Sequence, residues 1–124
     1  MREKVEKLIR QWQEILHLND WQIEVQVRNC PGKRGAIVSP DFRYRKATIT
    51  VYNHHLFVEE YILHELLHLV VGDFTNLLSL LAEDKLSNQE KQLLLFSEDQ
   101  LVEKLTNILL EVRNYAGALE KEDR

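Results

Sequence analysis

Two histidines four residues apart, His64 and His68, enclose Glu65-Leu66-Leu67. If the segment is helical, the two histidines lie on one face about 6 Å apart along the axis, so both imidazoles can reach one ion. Glu65 lies about 100° round the same helix, where it is a poor ligand but can reach a water bound to the ion. Two imidazoles and one carboxylate, with a fourth position open for water, suit zinc. The spacing therefore predicts a zinc site with Glu65 as the general base.

The helix that carries this motif is predicted over about residues 56–71, where apolar residues occur nearly all the way round. Three polar side chains in the middle of such a helix are costly to bury without a partner, and a metal would supply one. Hydrogen-bonded structural histidines beside an exposed Glu65 are the alternative interpretation. Gly72 is predicted to end the helix, and residues 74–82 are predicted to form a shorter one.

The remaining pattern predicts an α+β fold in a single domain, residues 1–124. Apolar residues recur at helical spacing over roughly residues 2–18, and they alternate with polar residues over 21–28 and 47–52, as in half-buried strands. Residues 36–38 add a short strand. This order predicts an N-terminal helix and a small three-stranded sheet that helices cover on one side.

Two capping boxes predict two further helices near the C-terminus. In the first box Ser87 precedes Glu90 by three positions, and in the second Ser97 precedes Gln100. A leucine-containing segment follows the start of each box, as expected for an amphipathic helix. The charged tail, about residues 117–124, is expected to fray.

The composition predicts an ordinary globular domain of the cytoplasm. The chain has 124 residues, 44% of them apolar and 29% charged. Its net charge of −4 argues against a nucleic-acid partner, because binding phosphates needs an excess of Lys and Arg. Cys30 is the single cysteine, so an intramolecular disulfide is excluded. The sequence shows neither a signal peptide nor an apolar run long enough for a membrane span, so no membrane partner is expected.

The stretch from Tyr61 to Leu69, YILHELLHL, resembles the HExxH helix of zincin metallopeptidases. It is especially similar to small bacterial and phage domains described as SprT-like or minimal gluzincins, whose order of elements also agrees. The resemblance implies a zinc-dependent peptidase acting on a peptide or protein substrate, with His64 and His68 as metal ligands. It also implies that the strand before the metal helix, about Lys46 to Tyr52, forms the rim of the cleft, where an extended substrate adds as another strand.

The resemblance implies that the third zinc ligand is a Glu on a later helix, and Glu98 is the best positional match. Glu98 follows the Ser97 cap and is in phase with a stripe predicted to face inward, formed by Leu101, Leu105 and Ile108. An inward carboxylate is unusual unless something pairs with it, as a metal would. The alternative explanation is that acidic residues favour the first turn of a helix because of its dipole. Larger gluzincins have an Asp one turn after this ligand, but this chain has Val102, so no residue is assigned to orient a histidine.

Other third ligands remain open at this point. Asp73 follows the motif closely, and Glu103 lies five residues after Glu98. Glu103 shares its side of the helix with polar neighbours, so we expect it to face water. No histidine follows the motif, so a histidine ligand would have to be one of three earlier residues, His17, His54 or His55.

Two other metalloenzyme families share part of the motif. Proteases with the pattern HExxHxxGxxH have a Gly and a final His where this chain has Val71 and Phe74. Bacterial rRNA-maturation endoribonucleases resemble the segment from His64 to Asp73, but they need a third His at the position of Phe74. A metal-dependent endoribonuclease is therefore the first alternative to a peptidase. The second alternative is a non-catalytic binding module that keeps the zincin fold.

Overall fold

The computed structural model describes residues 2–53, 59–82 and 85–122. The six elements in chain order are α1 (Arg2–Ile15), β1 (Gln22–Arg28), β2 (Gly35–Asp41), β3 (Lys46–Tyr52), α2 (Glu59–Leu81) and α3 (Asn88–Glu122). The predicted α+β class, the N-terminal helix and the three strands are confirmed. Of the predicted motif helix, residues 56–58 lie outside the described part. No helix in that part is both long and apolar enough to cross a membrane.

The three strands form a mixed sheet in the order β1-β3-β2. β1 runs parallel to β3, with Val25 opposite Ile49, and β2 runs antiparallel to β3, with Val38 opposite the same residue. Both edges of β3 are therefore paired, so the expectation that β3 offers its edge to a substrate is wrong. The strand that lies at the sheet edge beside α2 is β2.

The core lies between this sheet and the helices. Alternate residues of β1 and β3 face the core, as the period of two predicts; Val25 is 2% exposed and Ile49 is fully buried. Ile9 of α1 and Leu66 of α2 pack into the same cluster with no exposed surface. Burial of this kind is the main favourable contribution to folding, and it fixes α2 against the sheet.

Gly72 does not end the motif helix, contrary to the prediction. α2 runs for 23 residues through Gly72 to Leu81, and the predicted shorter helix over residues 74–82 is its second half. Gly72 is buried, and a Cβ atom there would stand 2.5 Å from Cζ of Phe42. The Phe42 ring in turn packs edge-to-face on Trp21, with centroids 5.4 Å apart. Gly72 therefore lets the Phe42 ring approach the helix backbone.

The C-terminal region is one helix, so the two helices predicted there are wrong in number. Ser87 does cap α3: its N–H donates to Glu90 Oε1, and its Oγ accepts from the Glu90 N–H, both at 3.1 Å. Ser97 instead lies within the 35 residues of α3. No Pro or Gly interrupts the helix near Ser97. The capping pattern at Ser97 therefore does not mark the start of a helix. The fraying expected from residue 117 onward remains a prediction.

Candidate metal centre

The two motif histidines lie side by side on α2. The ring centroids of His64 and His68 are 5.1 Å apart, and both side chains are half-buried. Their neighbours Leu63, Leu66 and Leu67 face the core. The apolar residues thus fix the rotation of α2, which leaves the two imidazoles at the border between core and surface.

Glu98 lies against His68, where the sequence predicted a third ligand. Its Oε2 is 3.1 Å from His68 Nδ1, and its Oε1 accepts a hydrogen bond of 2.5 Å from Thr75 Oγ1. Its side chain is only 14% exposed. Both oxygens of the carboxylate therefore have partners on α2, which holds Glu98 beside the motif.

The inward stripe of α3 differs from the predicted one. Val102 and Thr106 are buried, whereas Leu101 and Ile108 are 46% and 43% exposed. Glu98 precedes Val102 by one helical turn, so it shares the observed buried face. The predicted stripe was displaced by one position because apolar residues occur on both sides of α3, and periodicity alone does not tell which side packs on α2.

Asp99 is a site residue that sequence reasoning missed. Its Oδ1 is 3.2 Å from His68 Nε2, so the two nitrogens of one imidazole each face a carboxylate. The side chain of Asp99 is 68% exposed, unlike that of Glu98. Glu98 therefore serves Nδ1 of the ring, and Asp99 serves Nε2. The signal in the sequence was the acidic doublet Glu98-Asp99 itself.

The remaining candidate ligands lie elsewhere. Asp73 Oδ1 accepts a 2.5 Å hydrogen bond from Arg45, which also pairs with Asp20 at 2.8 Å, so Asp73 ties α2 to the turn before β3. Glu103 is exposed, as expected. His17 lies just after α1, where its backbone has φ of 57°. The other two histidines, His54 and His55, lie outside the described residues.

The Glu65 side chain reaches from α2 to the sheet. Its Oε2 accepts a hydrogen bond of 3.1 Å from the backbone N–H of Val38 on β2. Burial raises the pKa of Glu65, and the charge of Asp99 raises it further, while His68 and the Val38 hydrogen bond lower it. A carboxylate with a raised pKa is a better base near neutral pH, so this environment suits a general base.

The environment of His64 favours its neutral form. Burial lowers the pKa of His64, and the charge of His68 lowers it further, while Glu103, Asp99 and Glu60 raise it. A neutral imidazole has the lone pair that a metal ion needs, so a lowered pKa reduces competition from protons.

A groove of about 590 Å³ opens beside the motif, between α2, α3 and β2. Glu65, His68 and Glu98 line it at one end. From there it follows α2 past Gly72, and its other wall includes Val38 on β2. Groups from three separate elements thus meet at one end of a cleft, as in many binding sites.

The residues of this end fit a zinc ion by type. Two neutral imidazoles and a carboxylate are a frequent donor set for catalytic zinc. Among the residues that the structure describes, no three His, Cys, Asp or Glu side chains are already gathered closely enough to hold an ion. His64, His68 and the acidic doublet Glu98-Asp99 are neighbours, and their side chains would have to change rotamer to surround one ion.

No family model matches the chain. Searches of curated proteins and of solved structures also found no significant match.

Proposed function

We propose that this protein is a zinc-dependent peptidase. The observation that carries the proposal is that Glu65, His68 and Glu98 line the same end of one groove, with His64 beside His68. A base, an imidazole and a carboxylate at one end of a cleft, with a second imidazole beside the first, are groups that metal-assisted hydrolysis of an amide can use.

His64, His68 and Glu98 would hold the zinc. Zinc, when bound, supplies a Lewis acid that polarises a carbonyl and acidifies a water. Glu98 is preferred to Asp99 as the ligand because Glu98 lines the groove, where substrate and Glu65 are, and Asp99 does not. Asp99 then serves as the outer carboxylate that orients the His68 ring, which is the usual partner of a metal-binding histidine.

Glu65 is the general base of the proposed reaction. Its carboxylate takes a proton from the attacking water and passes it to the nitrogen of the leaving amine. The Val38 N–H holds Glu65 toward β2, on the side of α2 that lines the groove. The base therefore faces the space in which a substrate carbonyl would lie.

A substrate would add to β2 and not to β3. The Val38 N–H points away from β3, toward Glu65, so alternate residues of β2 present their backbone groups at the free edge. An extended peptide can pair with such an edge as a further strand. This arrangement would place the backbone of the peptide between β2 and α2, next to Glu65.

The proposal is tested by Glu65→Gln. We expect this variant to bind zinc like the unchanged protein but to hydrolyse a casein or peptide-library substrate about 10²- to 10⁴-fold more slowly, because it lacks the base. The measurements are zinc content by mass spectrometry and initial rates of peptide cleavage. Glu60→Gln is the matched control, since it makes the same change on an exposed position of α2.

Two outcomes would contradict the proposal. Loss of zinc in Glu65→Gln would mean that Glu65 coordinates the ion. Cleavage of RNA by a zinc-loaded protein that leaves all peptides intact would favour the endoribonuclease alternative.

A further inference from the structure

The far end of the groove carries a cation, Lys91 of α3, next to apolar side chains. We propose that the groove binds an extended, mainly apolar peptide segment that carries an acidic side chain at Lys91, about six residues from Glu65. Cleavage of the bound peptide beside Glu65 rests on the proposed function, whereas binding of the peptide in the groove does not.

The length of the groove follows from the two helices that line it. Ser79 lines the groove 14 residues after Glu65 on α2, so it lies roughly 21 Å along the helix axis at about 1.5 Å per residue. α3 runs antiparallel to α2, since Glu98 contacts His68 while Arg113 pairs with Glu59. Lys91 is therefore level with the second half of α2. An extended chain of about six residues spans the same distance at about 3.3 Å each.

The lining of the far half suits a peptide. Leu80, Leu94 and Leu95 offer partly exposed apolar surface, which can cover apolar side chains of a ligand. Asn76 and Ser79 are interspersed along the α2 side of the groove and can hydrogen-bond peptide groups. Apolar contacts with a few polar groups beside a free strand edge are what an extended polypeptide needs.

The charges of the groove are separated along its length. Glu65 and Glu98 provide negative charge at the motif end, and Lys91 provides the positive charge at the far end. The ammonium group of Lys91 makes no ion pair with any residue in the described part of the chain. A peptide with an acidic residue at the far end is complementary to the charge of Lys91.

The test measures binding of labelled peptides to full-length, zinc-loaded Glu65→Gln by fluorescence anisotropy, so that cleavage does not interfere. Each peptide has six alternating Val and Thr residues joined to a pair of Asp, Asn or Lys residues. The pair is placed at the amino end in one set and at the carboxyl end in the other, because the groove admits either chain direction.

We expect the Asp peptide of one set to bind about two- to fivefold more tightly than its Asn counterpart, the size of an exposed ion pair, and the difference to shrink at high salt. Adding Lys91→Glu should reverse the order, so that the Lys peptide binds best. Lys104→Glu is the matched control: it makes the same change at an exposed position of α3 outside the groove and should leave the order unchanged.

An order of affinities that survives Lys91→Glu would overturn the inference. So would a protein that dimerises without peptide and loses peptide binding as it does so, because a second copy would then occupy the groove. If Lys91 controls the order but protein with Glu65 cleaves no peptide, the groove inference stands and the peptidase proposal fails. If peptides are cleaved but Lys91→Glu leaves the order of peptide affinities unchanged, the peptidase proposal stands and the groove inference fails.

Discussion

His68 has a carboxylate at each of its two ring nitrogens, Glu98 at 3.1 Å and Asp99 at 3.2 Å. α3 begins at Asn88, so Glu98 is in the third turn of the helix and its presence is not explained by the helix dipole. A carboxylate that is 14% exposed in mid-helix needs a partner, and His68 and Thr75 are its partners. The contacts with His68 and Thr75 thus explain why a carboxylate lies on this buried face of α3, which the sequence pattern alone did not explain.

A zinc titration of single variants tests the roles of the two carboxylates. We expect Glu98→Ala to lower zinc affinity by more than about 100-fold, because it removes a ligand, and Asp99→Ala to lower it by about 10-fold, as loss of an outer partner of a ligand does. Competition with a chromogenic chelator measures both affinities.

Asp73→Ala and Glu103→Ala are the controls for this titration and should bind zinc normally, since Asp73 is paired with Arg45 and Glu103 is exposed. A larger effect of Asp99→Ala than of Glu98→Ala would exchange the two roles. Loss of zinc affinity in Asp73→Ala would mean that the third ligand is Asp73 on α2.

Sequence reasoning at the residue scale succeeded where chemistry is local. The spacing of His64 and His68 is enough to predict that their rings adjoin, because a helix fixes the geometry of residues four apart. Asp99 was missed because neighbouring residues on a helix point about 100° apart, and only the docking of α3 on α2 brings both members of the doublet to one imidazole.

At the scale of elements, the strands and the first helix were predictable, but the end of α2, the number of C-terminal helices and the pairing of the strands were not. β3 was correctly bounded by its alternating pattern, yet its central position depends on pairing with β1, more than 20 residues earlier in the chain. Gly72 was wrongly predicted to end a helix for the same reason, because the Phe42 ring that it accommodates comes from a turn distant in the chain. Contacts of this kind depend on which surfaces meet, and periodicity does not encode that.

The two capping boxes, which begin at Ser87 and Ser97, provide a prediction about α3. Ser87→Ala should lower the free energy of unfolding by about 1 kcal/mol, because it removes the acceptor for the Glu90 N–H at the start of the helix. Ser97→Ala should change it by less than about 0.5 kcal/mol, because Ser97 is inside the helix and caps nothing. Urea unfolding followed by circular dichroism measures both.

Equal losses in the two variants would contradict this account of α3. A loss confined to Ser97→Ala would mean that a second helix does begin at Ser97 in solution.

At the scale of the whole molecule, the core is separate from the site. The buried apolar cluster includes residues of all three helices and two strands, such as Trp12, Val51 and Val102, and it contains neither His64 nor His68. The free energy of folding therefore comes mainly from burial that does not involve an ion.

We accordingly expect the protein to fold without zinc. Treatment with a chelator should leave a cooperative thermal transition and the helical circular dichroism signal, and should lower the free energy of unfolding by about 3 kcal/mol relative to protein with free zinc at about 100 times its Kd. Calorimetry with and without EDTA measures the difference. A chelated protein that melts without cooperativity would show that the ion is structural.

Pro40 limits how the exposed edge of β2 can pair with strands of other molecules. An open strand edge is a template on which copies of a protein can aggregate. Pro40 shares the outward-facing alternation of Val38, and it has no N–H to donate at that edge. An incoming strand therefore finds one donor missing at Pro40 and can pair there only through carbonyl oxygens. The edge can accept a short segment, while long runs of copy-to-copy pairing are interrupted, which should help to keep the molecule from polymerising.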